Sequence, residues 1–86
     1  MNNVITYQDV QLSTLAKFIL SVALLYKSAS GYTAREVAAL FRRYGVYDFL
    51  EEFKDIEMML PEDELLSDVS QVIVANGGHF HADLPR

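Results

Sequence analysis

The sequence predicts an all-α protein: a compact four-helix domain with a long first helix, two short middle helices joined at Gly45, a C-terminal helix and a flexible tail. Three observations carry that reading. Apolar residues recur at the i, i+3, i+4, i+7 spacing of a half-buried helix in one stretch after another. The stretches are punctuated by helix starts and stops, among them Thr33 with Glu36, then Gly45, then Gly77–Gly78. No stretch reads as a strand. With 86 residues, 51% of them hydrophobic, the chain is one folding domain, read as residues 1–78 with a tail over 79–86.

Asp9 is the expected cap of the first helix, which is read as running to about Ser28. Leu12, Leu15, Ala16, Ile19, Val22, Ala23 and Tyr26 form its inner face. Phe18, Leu20, Leu24 and Leu25 lie beyond that face, so only Thr14, Lys17 and Ser21 make a thin polar stripe. A helix apolar nearly all round is either central to its domain or covered by another chain. A domain this small, without cysteines for disulfide staples, also gains from a partner, so a homodimer through the first helix is an expectation.

Ser28, Ser30 and Gly31 mark the first break, and Thr33-x-x-Glu36 is a capping box that opens the second helix. Val37, Ala38, Phe41 and Tyr44 form its inner stripe, with Arg35, Arg42 and Arg43 pointing outward. Gly45 stops it, and Val46, Phe49, Leu50 and Phe53 begin a new stripe at once, leaving Asp48, Glu51 and Glu52 outside. Ile56 to Leu60 fits either an extended connector or a frayed turn. Pro61 suits the first turn of the last helix, and Glu62, Asp63 and Glu64 suit its positive N-terminal end. Leu65, Leu66, Val69, Val72 and Ile73 complete the core.

No set of residues spells out an activity. Zero cysteines exclude disulfide scaffolds, thiolate zinc sites and cysteine nucleophiles. The glycines form no phosphate-cradling loop, and Glu51–Glu52 are exposed neighbours without the apolar pocket that raises a catalytic carboxyl pKa. The expectation is a non-enzyme without a cofactor. His79, His81 and Asp83 form the weak metal candidate, a His-x-His-x-Asp pattern in the tail. Thr33 to Val46 invites a helix-turn-helix reading and hence a DNA-binding regulator, but Gly45 follows Ala38 by seven residues where that motif has about four. Its next helix would also offer carboxylates to phosphates.

Charge is unevenly placed. From Asp48 to Asp68 nine acidic residues face one lysine, Lys54, whereas the rest of the chain is net basic; the whole carries −5. Such a segment is suited to steering a basic protein partner. The expected contact residues are Arg35, Arg42, Arg43, Tyr44 and Tyr47 on the basic side and Glu51, Glu52 and Asp55 on the acidic side. The N-terminus shows no signal-peptide pattern, and the richest apolar run, Phe18 to Tyr26, is shorter than the roughly 20 residues of a membrane span, so a cytoplasmic protein without membrane or nucleic-acid partners is expected.

Leu15 to Lys27 and then Glu36 to Leu50, above all Leu40-Phe41, Tyr44-Gly45-Val46 and Asp48-Phe49-Leu50, resemble a family of small uncharacterised bacterial helical domains. The resemblance covers Leu15 to Ile73 and carries no catalytic signature. It implies a small helical protein often encoded beside proteins resembling ADP-ribosyltransferase toxins, and hence an antitoxin-like or accessory binding role. The chain departs from the family pattern after Phe53, where Met58-Met59-Leu60-Pro61 intervenes, and in the added tail from His79.

Overall fold

The computed structural model describes residues 13–78, and the chain begins there with a helix, α1, spanning Thr14–Ser30. Ser13 caps it, its hydroxyl accepting a hydrogen bond from the Ala16 amide at 3.0 Å. The Asp9 cap read from the sequence lies outside the described residues. The far end runs two residues past the expected Ser28, because the serines stay helical and the turn waits for a residue at ease in the left-handed region. Gly31 takes it with φ 81°, and its amide donates to the Lys27 carbonyl at 2.9 Å.

Helix α2, Ala34–Arg43, opens on the capping box: the Glu36 amide donates to Thr33 Oγ1 at 3.1 Å and the Thr33 amide to Glu36 Oε1 at 2.8 Å. Val37 and Phe41 are buried, Ala38 and Tyr44 half-buried, and the three arginines exposed. Gly45, φ 74°, turns the chain directly into α3, Val46–Glu52. Val46 and Leu50 are buried, but Phe53, expected in the core, is 40% exposed. The reason is local: α3 stops at Glu52, and Phe53 adopts φ −110°, ψ 23° between two helices.

The segment read as a connector or frayed turn starts inside a one-turn helix, α4, Lys54–Glu57, so five helices rather than four make up the described residues. Met58 to Leu60 then form the turn. Pro61 sits just outside the last helix, in extended geometry (ψ 158°), rather than in its first turn. Helix α5, Glu62–Ala75, begins at Glu62, and its acidic first turn faces the positive end of the helix dipole.

α5 ends in a paired-amide turn, with Gly77 donating to Val74 at 3.1 Å and Gly78 to Ile73 at 2.8 Å. A Cβ on Gly78 would lie 2.5 Å from Ile73 Cγ2, so any other residue there forces the buried Ile73 side chain or the turn to move. Asn76 next to it donates from Nδ2 to the Tyr44 carbonyl at 2.6 Å and ties this end of α5 to the α2–α3 turn.

The core is one apolar cluster: Val22 and Tyr26 from α1, Val37 and Phe41 from α2, Val46 and Leu50 from α3, and Leu65, Val69 and Ile73 from α5. α1 is the central helix, packed against α2, α3 and α5. Phe41 sits edge-on to Tyr26 at 5.5 Å and to Tyr47 at 5.8 Å, linking three helices through aromatic contacts. Each such buried side chain contributes about 1.5–3 kcal/mol of transfer free energy.

Candidate functional site

The surface divides by charge along the fold. α2 exposes Arg35, Arg42 and Arg43, and α1 exposes Lys17 and Lys27. Asp48, Glu51 and Glu52 on α3, Asp55 on α4, and Glu62, Asp63 and Glu64 on α5 are all exposed as well. The expected contact residues Arg35, Arg42, Arg43, Glu51, Glu52 and Asp55 are exposed, whereas the two tyrosines are not fully so. Tyr44 is half-buried, its ring under the Arg43 guanidinium at 5.5 Å and its edge near Gly78. Tyr47 is half-buried against Phe41. Both are tied into packing more than the arginines are.

Two grooves cut this surface. One, about 460 Å³, runs between α1 and α2. Ile19, Leu20, Ala23 and Leu24 form one wall, Val37 and Ala38 the other, and Tyr47 also lines it. It is apolar because two leucines beyond the inner face of α1, Leu20 and Leu24, remain about half exposed.

The second groove, about 440 Å³, lies where α3, α4 and α5 meet, and contains a residue the sequence reading did not single out. Glu57 is only 4% exposed. Its carboxyl hydrogen-bonds that of Asp68 on α5, while its Oε1 is buried with no partner. Burial first, then the hydrogen bond and the charge of Asp68, raise the Glu57 pKa from 4.5 to about 7. Phe49 and Phe53, ring centroids 5.3 Å apart and tilted by 45°, and Ile56 line the groove beside the two carboxyls; Gln71 and Val72 come from α5.

A signal for Glu57 was present. By spacing alone Glu57 continues the Val46–Leu50 stripe, where another apolar residue is expected, although the helix itself is interrupted at Phe53. Reading Ile56 to Leu60 as a connector removed that spacing from view. Chemically, Glu57 holds its proton to about neutral pH, and its Oε1 is a buried acceptor without a partner in a groove also lined by Phe49 and Phe53. It is a place for a cation or a proton, not for an anion.

Of the remaining sequence candidates, His79, His81 and Asp83 lie outside the described residues. Among the described residues, no group of three or more His, Cys, Asp or Glu is placed to hold a metal ion, and no helix is long and apolar enough to cross a membrane.

A small all-helical domain with a groove lined by two carboxyls and two phenylalanines is the class of protein these observations define. A family model described as "Protein of unknown function (DUF3791)" matches residues 17–76, and the chain belongs to that family. The match runs from the first turn of α1 to the end of α5 and includes the whole carboxyl groove. No curated protein and no solved structure matches the chain.

Proposed function

We propose that this protein acts without catalysis, by binding a basic protein partner, as an antitoxin-like or accessory module for a toxin or effector encoded nearby. One observation carries the reading. The α3–α5 half carries exposed carboxylates together with exposed apolar side chains, Phe53, Ile56 at 62% and Met59 at 84%. Apolar side chains inside a charged rim are what a protein–protein contact uses, the apolar part for affinity and the charges for approach and orientation. The same carboxylates repel phosphates, so this half is unsuited to nucleic acid.

Co-expression with the product of the adjacent gene, followed by co-purification at low salt, tests this. The expected result is a stable complex that weakens as salt rises and when Glu51, Glu52 and Asp55 are changed together to lysine. Absence of any complex at micromolar concentration in low salt contradicts the proposal.

A further inference from the structure

We infer that the groove between α3, α4 and α5 receives an arginine side chain of the protein partner, its guanidinium against the Glu57–Asp68 carboxyl pair and its flat face against Phe49 and Phe53. The inference deepens the reading of a basic partner and rests on it for the identity of the chain that supplies the arginine.

Four features of the groove select that ligand. Glu57 lines the groove, is only 4% exposed, and its Oε1 is buried with no hydrogen-bond partner, an unmet acceptor that a shift of the side chain toward an incoming N–H donor satisfies. Asp68 brings a second carboxyl from another element, matching the forked donors of a guanidinium. Phe49 and Phe53 line the groove as an aromatic pair, a lining that suits a delocalised cation more than a small hydrated metal ion. The two carboxyls fall short of the three or more oxygen ligands expected of a protein-held divalent ion.

Binding is linked to a proton. Glu57 and Asp68 are the titratable residues lining the groove; α3 lines it with Phe49, and α5 adds Gln71 and Val72 beside Asp68. At neutral pH Glu57 is still partly protonated and so partly neutral. An arriving guanidinium carries its own positive charge and donors, so the proton leaves to solvent as the side chain seats. With Glu57 titrating near 7, the apparent affinity rises about tenfold from pH 6 to pH 8.

The test uses the whole chain and the peptide acetyl-Gly-Arg-Gly-amide, followed by amide NMR shifts at pH 6 and pH 8, with the citrulline peptide as the uncharged counterpart. Saturable shifts centred on Phe49, Phe53, Glu57, Asp68 and Gln71, stronger at pH 8 and absent with citrulline, support the inference. Loss of those shifts in Glu57→Gln and Asp68→Asn, near-isosteric changes that keep the groove's shape, supports it further.

Equal binding of the citrulline peptide, shifts confined to the open carboxylates of Glu51 and Glu52, the same shifts with magnesium chloride alone, or affinity that does not change between pH 6 and pH 8 overturns it. So does a co-purified complex that Asp68→Asn leaves at full affinity. That last result leaves the partner reading standing, whereas a chain that binds the peptide but no neighbouring protein defeats the partner reading alone.

Discussion

The two grooves are nearly equal in volume and differ in almost everything else. Between α1 and α2 the lining is mostly aliphatic, and its exposed leucines follow from a helix with more apolar residues than one buried face can take. Where α3, α4 and α5 meet, the lining joins two aromatic rings to a carboxyl pair from different helices, one member almost fully buried. The first shows how surplus hydrophobicity ends up on the surface of a small domain whose core is already filled. The second holds a cost to stability, a desolvated carboxyl with an unpaired oxygen, and such costs persist where they serve binding more often than where they serve packing.

Predictions that break or sharpen this contrast fall in order of size. The largest effect belongs to neither groove. Phe41→Ala removes the ring that joins Tyr26 and Tyr47, and it is expected to lower unfolding free energy by about 3–5 kcal/mol in urea titration. If that variant loses no more stability than a surface change, the core described here is wrong and both grooves lose their walls.

Next comes Glu57→Gln. The folded chain keeps the Glu57 proton up to about pH 7, while the unfolded chain releases it near 4.5. Between those values the folded state therefore binds more protons than the unfolded state, and stability falls as pH rises through the interval. The loss is nearly complete by about pH 8 and amounts to about 3 kcal/mol from the size of the shift. The glutamine variant cannot ionise, so it is expected to be more stable than the parent at pH 8 by about that amount, with the difference vanishing near pH 4. A variant less stable than the parent at pH 8 means that the carboxylate is paired favourably there, which removes the distinction between the grooves.

The smallest effect is expected at Leu24→Gln in the apolar groove. Leu24 is 54% exposed, so stability should change by no more than about 0.5 kcal/mol and arginine-peptide binding not at all. A loss of peptide binding there places the ligand between α1 and α2 instead.

Most of the fold was legible because local rules agree with tertiary packing over most of its length. The Thr33–Glu36 box, the Gly45 turn and the valine and leucine stripes of α1, α2 and α5 all match the core. Misreadings arose where a residue's role depends on what is packed against it. Phe53 matches the helical stripe, but the backbone turns there, and Ser28 resembles a stop although only Gly31 turns left-handed. The charge division along α3–α5 was visible as composition. The carboxyl pair was not, because Glu57 and Asp68 are eleven positions apart and meet only through the angle between α4 and α5.

The most direct measurement is the titration of the Glu57 side-chain carboxyl carbon by NMR, with and without saturating acetyl-Gly-Arg-Gly-amide. The account predicts a midpoint near 7 for the free protein and a fall of at least about one unit when the peptide is bound, since a bound cation favours the ionised form. A free midpoint near 4.5, or one near 7 that the peptide leaves unmoved, contradicts the claim that this groove is a cation-receiving site.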